Sequence, residues 1–449
     1  MKRIIAGILA VLVLVGCGGR AEETPNKTIN ETAESTNIYA EDAQQLVYAV
    51  HAAPPVFVLD KVTPKYEAAE AEFLENAPNA EDKDEFALMV RKYMVSLDDE
   101  HTQPWADGAE SLENLTRCKL DLLCSYENGK LYIRNEDGTS SESYITAIQG
   151  VDIEHIFETV EEYYPFENSE SKAFYYRNAP MYSGVLKLCG CDLEIESEEA
   201  EVVCNDKTLT VKFIDYGVQE SEDDVKHDTA DVRLVGDILY IDVNSFREKD
   251  DKYAETLARI QDHAQNGVKK VILDLRGNGG GYPWIVAETM RAFGTNLPVG
   301  ESINRHSTDE WETCKKDLKT ASQDMTFTEN AGSLNSARVN PDIDLAVLCD
   351  VNSMSASVII CAGVQDGKLG TVIGRSPHNS PSFYAGVLYY TLPETGIKVQ
   401  ISGSYIMRAD KVAPQDVFVP DIVTEPGENS LKYTIEQYYN ETFNENDWE

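Results

Sequence analysis

The sequence predicts an α/β protein, and three observations predict it. From Val232 onward, short apolar runs at strand spacing alternate with runs at helical spacing. Two of those strand-to-helix junctions carry clusters of glycine or serine. Hydrophobic residues make up 42% of the 449 residues and charged residues 26%, enough apolar mass for a sizeable core and too much for a disordered chain.

The elements follow in chain order. Lys2 and Arg3 precede an apolar stretch, Ile4 to Val15, too short for a confident membrane span. It ends in Leu14-Val15-Gly16-Cys17, which resembles a bacterial lipobox. That resemblance implies a signal peptide over 1–16, cleavage before Cys17 and lipidation of Cys17. Polar residues to position 38 then read as a tether, rich in Glu, Thr and Asn. The localisation expected is a bacterial cell membrane, by lipid anchor, on the extracytoplasmic face.

An N-terminal helical region spans 39–108, with apolar residues at helical spacing over Ala43–Val50, Tyr66–Leu74 and Glu85–Met94. Residues 109–230 read as a small, mostly β module, with alternating segments at Lys130–Arg134 and Thr208–Ile214 and a helix near Ile153–Tyr163. The α/β core spans 231–425. Its strands are Asp237–Val243, Val268–Leu275 and Leu345–Val351, and its helices are Tyr253–His263, Trp284–Phe293 and Ala356–Val364. The tail, 426–449, reads as a surface helix over Leu431–Tyr439.

Charge and cysteine content narrow the partners. The formal net charge of −39 argues against nucleic acid and anionic lipid surfaces, which need clustered Lys and Arg. Membrane contact is therefore expected through the lipid anchor only. Beyond Cys17, eight cysteines remain, and an extracytoplasmic site permits disulfides. Cys118 with Cys124, and a pair within Cys189, Cys191 and Cys204, read as local bridges; Cys349 and Cys361 read as buried thiols. No metal and no cofactor is expected: Cys189-Gly-Cys191 lacks zinc spacing and no H-E-x-x-H occurs.

Three segments carry chemistry. Asp274-Leu-Arg-Gly-Asn-Gly-Gly-Gly281 follows a buried strand and precedes a helix, so its glycines expose N–H groups near a helix N-terminus. It has neither G-K-[ST] nor G-x-G-x-x-G, which disfavours a phosphate site. Asn352-Ser-Met-Ser355-Ala356 joins a strand to a helix; a serine there suits either a helix N-cap or a nucleophile. Asp99-Glu-His101-Thr102 follows a helix and supplies the usual base for a serine.

Together these segments resemble the tail-specific, C-terminal-processing serine peptidase family. The resemblance rests mainly on D-L-R-x-N-x-G-G, with support from Gly236–Phe246, Val372-Ile-Gly374 and the I-N-G-like Ile145–Val151. It implies a ClpP/crotonase-like core and a PDZ-like module at 109–230. That family's processing branch uses a Ser/Lys dyad with a Glu three residues after the nucleophile. Here those positions hold Ser380 and Val358. The D-x-H-T segment instead resembles the tricorn-core-like branch.

The resemblance thus implies Ser355 as nucleophile, His101 as base, and an oxyanion hole from the amides of Gly280 and Ala356. Asp410 is the candidate third residue and Asp416 the reserve. The function implied is a lipoprotein serine endopeptidase acting on protein or peptide substrates. The alternatives are an inactive binding lipoprotein on the same fold and an esterase. Substrate specificity and oligomeric state are not readable from the chain.

Overall fold

Residues 37–194, 197–216, 230–247, 251–338, 340 and 342–448 are described by a computed structural model. The signal peptide, Cys17 and the tether up to position 36 lie outside the described residues. Among the described residues no helix is long and apolar enough to cross a membrane.

Three capped helices open the chain: Ile38–Ala52, Pro64–Asn76 and Lys83–Val95. Side-chain oxygens of Asn37, Thr63 and Asp82 accept from first-turn amides that the helices leave unpaired. Their apolar faces do not close on themselves. Leu46, Val50, Phe86 and Tyr93 share one core with Trp311, Ile397, Val399 and Ile401. The last three belong to or flank strand Lys398–Ile406, which pairs with Phe383–Thr391 and with the short strand Gln103–Pro104. The helical region is thereby fastened to the core, and the segment holding His101 is drawn in with it.

The central sheet has six strands in the order Ile422–Val423, Thr371–Gly374, Asp344–Cys349, Lys270–Asp274, Ile238–Val243 and Ala230–Val235. Its neighbours are parallel except for the antiparallel pairing of the last two. Asp274 stands opposite Leu348 in register, so the glycine turn and the serine turn leave adjacent strands at the same edge. In open α/β sheets the carboxyl ends of strands are where sites form. One face is covered by the helices Asp251–Gln265, Pro283–Ala292 and Ala356–Gly367. The other face is covered by the tail: Leu431, Ile435, Tyr439 and Trp448 are buried against Ile238, Tyr240, Ile272 and Ile373. The tail is therefore not a surface helix. It seals a sheet face that otherwise meets water.

Residues 118–215 form a seven-stranded antiparallel sheet with more helix than expected. Besides Ile153–Tyr163, helices occupy Ser169–Asn178 and Ser183–Leu188. The expected local disulfides do not form: Cys124, Cys189, Cys191 and Cys204 are thiols buried in the apolar core of this module. Cys349 and Cys361 are buried thiols in the central core.

The end of strand Lys398–Ile406 is tied to the serine's helix by a buried ion pair. Arg408 Nε and Nη2 lie 2.9 and 2.7 Å from Asp366 Oδ1. Removing one partner strands the other charge in the interior. Arg408→Ala is expected to cost about 3–5 kcal/mol, measured as a lower urea midpoint with unchanged slope.

Candidate active site

Ser355 precedes helix Ala356–Gly367 with φ 54° and ψ −113°. That combination lies outside the compact left-handed well open to non-glycine residues, so the turn is strained. Its side chain makes no capping bond. A cap serine relaxes into extended backbone and bonds the second or third helical amide; Ser355 does neither. The conformation is that of a side chain lifted out of a strand–helix turn.

Two buried asparagines hold the turn. Asn278 sits on one side: its carbonyl accepts from the Met354 N–H at 3.0 Å and from the Ser357 hydroxyl at 3.0 Å. Its Nδ2 donates to the Val243 carbonyl at 2.6 Å. Asn379 sits on the other: its Oδ1 accepts from the Ser355 N–H at 2.8 Å, and its Nδ2 donates to Glu167 Oε2 at 2.7 Å. Gly280 presses directly on the serine. A methyl group there would lie 2.7 Å from the Met354 carbonyl oxygen and 2.8 Å from Ser355 Cβ, at φ +95°. Glycine is required at this contact.

The two amides expected to form an oxyanion hole differ. The Ala356 N–H begins the helix and has no hydrogen-bond partner among the described residues. The Gly280 N–H donates to Asn278 Oδ1 at 2.8 Å.

His101 is 9% exposed and stacks on Phe383 with ring centroids 5.5 Å apart. Its backbone N–H donates to Asp99 Oδ1 at 2.9 Å, and the Thr102 hydroxyl donates to Asp99 Oδ2 at 2.5 Å. Its Nδ1 is buried with no partner. Donor atoms of Asp99, His101 and Glu167 lie within 4.8 Å of one another. These are ligand types suited to a divalent cation, although both Asp99 oxygens already accept hydrogen bonds. Glu167 thus touches both halves of the site: it lies beside His101 and, through Asn379, holds the Ser355 amide.

Electrostatics sorts these groups. Burial pulls the His101 pKa below its ordinary value, against the opposing pull of Asp99 and Glu100. Burial, then the charges of Glu100 and Asp99, push Glu167 well above the usual carboxylate range. His378 differs: burial opposes its charge, but Glu100 at 3.2 Å outweighs burial and raises its pKa. Burial thus favours the neutral forms of His101 and Glu167, whereas Glu100 favours the charged form of His378.

Asp410 and Asp416 are not grouped with His101, and their side chains make local contacts. Asp410 Oδ1 accepts from the Val412 amide at 2.9 Å, and its own N–H donates to Asp366 Oδ2 at 2.9 Å, so it shapes the turn after the strand. Asp416 Oδ1 accepts from the Val417 amide and is exposed. The acids grouped with His101 are Asp99 and Glu167. Glu167 and Asn379 were not found from sequence. The only available signal was a polar Glu-Asn-Ser run ahead of a helix, which reads as a cap.

Residues 237–445 match the model of peptidase family S41. Mature CPAF is similar in structure, with a TM-score of 0.54, 11% identity and coverage of 86% of this chain and 93% of that one. CPAF complexed with lactacystin gives 0.52, 11%, 86% and 94%. A photosystem II D1 C-terminal processing protease gives 0.43, 14%, 87% and 94%. No curated protein matches by sequence. The matched residues cover the serine turn, whereas His101 and Glu167 lie before the first of them.

Glu167 makes stability depend on pH. Its folded pKa is raised, so the folded state retains a proton that the unfolded state has lost above about pH 4.3. Stability through this group therefore falls as pH rises from that value toward the folded pKa. Glu167→Gln, which mimics the protonated acid, is expected to be more stable than the parent at pH 7.5. The gap should close toward pH 4.3 in urea melts across pH.

Proposed function

We propose that this chain is a serine endopeptidase that cleaves protein or peptide substrates through a Ser355 acyl-enzyme, with His101 as base. The observation that carries the reading is the strained Ser355 turn at a helix N-terminus, tied through Asn379 and Glu167 to the His101 cluster. In this mechanism Ser355 Oγ attacks the scissile carbonyl as His101 takes its proton. A neutral resting His101 suits that task, and Asp99 stabilises the imidazolium as it forms.

The Ala356 N–H receives the oxyanion, and the Gly280 N–H joins it by exchanging its bond to Asn278. His101 then protonates the leaving amine, and water releases the acyl group. The D-x-H-T segment supports the tricorn-core-like branch over the Ser/Lys enzymes, as does Ser380 at the lysine position. Cys17 anchors it to the outer face of a bacterial membrane.

An inactive peptide-binding lipoprotein is the second reading, and the engaged Gly280 amide favours it. Residues 18–449 should label with a fluorophosphonate at Ser355 and hydrolyse an unfolded protein. Ser355→Ala should abolish both. His101→Ala should slow hydrolysis by about a thousandfold or more with the fold intact by circular dichroism. Absence of both labelling and hydrolysis in the parent selects the binding reading. For the anchor, Cys17→Ser in the full chain is expected to move the protein from the membrane to the soluble fraction, measured by fractionation of cells producing it.

A further inference from the structure

A cavity of about 610 Å³ is lined in part by Arg91, Gln103, Trp105, Thr116 and Arg247. Two backbone connections join it to the chemistry. Gln103 follows His101-Thr102 directly in the chain. Arg247 follows Phe246, whose N–H donates to the Gly280 carbonyl at 2.9 Å and whose carbonyl accepts from the Tyr282 N–H at 2.9 Å. The cavity lining is thus joined along the chain to the His101 segment and, through Phe246, to the glycine turn.

The cavity's charge is opposite to that of the chain. Acidic residues number 78 against 39 Lys and Arg, so a cavity whose unpaired charges are positive runs against the net charge of the chain. Among the described residues neither Arg91 nor Arg247 has a carboxylate within ion-pair distance, whereas the lining carboxylate, Asp107, is taken by Lys398 at 3.0 Å. Arg91 is also held in place: its Nε donates to the Tyr163 carbonyl at 2.9 Å and it lies over the Tyr164 ring at 5.0 Å. A fixed guanidinium loses little freedom on binding and pairs bidentately with a carboxylate. Arg247 is an exposed lining residue, and Trp105 adds a partly exposed ring to the lining.

Resting on the peptidase reading above, we propose that this cavity is a specificity subsite for a carboxylate of the substrate peptide, with Arg91 and Arg247 as its recognition pair. The carboxylate is an acidic side chain near the scissile bond or the α-carboxylate of a chain end. The cavity draws such a group out of the repulsive field of an otherwise acidic molecule.

The test uses residues 18–449 carrying Ser355→Ala and fluorescein-labelled alanine-based hexapeptides. Each peptide has one Glu or one Gln at a defined position and a free or amidated C-terminus. Fluorescence anisotropy is expected to show at least one carboxylate-bearing peptide binding about tenfold or more tightly than its neutral counterpart. That preference should collapse to within about twofold in Arg247→Gln, which changes an exposed residue and leaves the fold intact. A glutamate preference that survives amidation assigns the side chain; a preference confined to free ends assigns the α-carboxylate.

Equal or undetectable binding of all pairs, or a preference that persists in both Arg247→Gln and Arg91→Gln, overturns the proposal. Binding is read without turnover, while fluorophosphonate labelling of Ser355 in the parent and in Arg247→Gln reports separately on the peptidase reading. Loss of labelling with an intact carboxylate preference would overturn that reading alone.

Discussion

The structure around the site depends on the side chain of Asn379. Its two ends bond groups from distant parts of the chain: the Ser355 amide of the core and the Glu167 carboxyl of the preceding module. Ser355 needs such a bond because its backbone sits where non-glycine residues are strained by about 1–3 kcal/mol. Strain of that size relaxes unless neighbours over-determine the conformation. Asn278 supplies the opposing grip through Met354 and Ser357. Both asparagines are completely buried, where each unmade bond carries a desolvation penalty. The two amides therefore act as a clamp whose cost of opening exceeds the strain it contains.

The same clamp brings ionisable groups together at low dielectric. Asp99, Glu100 and Glu167 converge with His101 and His378 in a space with little water. The five groups are held differently. Asp99 receives two hydrogen bonds, and Glu100 lies 3.2 Å from His378 and raises its pKa. Burial raises the pKa of Glu167 and lowers that of His101. Burial disfavours the charged form of His101, while Asp99 and Glu100 nearby pull the other way. His378 spends its ring on Glu100, the Val351 carbonyl and a stack with Phe174, so it serves to position the Asn379 loop.

What was legible in the sequence follows from how local the signal is. The strand Lys270–Asp274, the glycine turn and the helix Ala356–Gly367 are marked by contiguous apolar runs and by residues that only such turns require. The hairpin Phe383–Thr391 with Lys398–Ile406 was not legible, since its alternation is broken by Gly386, Gly403 and several tyrosines and serines. Leu431, Ile435 and Tyr439 recur at helical spacing, but nothing local says that a bare sheet face lies opposite them. Glu167 was the least legible: an acid beside Asn168 and Ser169 looks solvated, and its partners lie far along the chain in both directions.

The candidate site is assembled from three regions that do not fold as separate beads. The N-terminal helices deliver His101, but their core includes Trp311 and Ile401 from the residues that match family S41. The β-rich module delivers Glu167, and Asn168 beside it donates to the His378 carbonyl, Ser380 Oγ and the Asp416 carbonyl. The core delivers Ser355, but its turn is completed by an acid it does not own. A region that lends a residue to the candidate site and borrows its hydrophobic partner cannot be exchanged independently. Geometry at the serine is then set by packing across all three regions, so a defect in the outer helices or the module is transmitted to the nucleophile through buried contacts that have no slack.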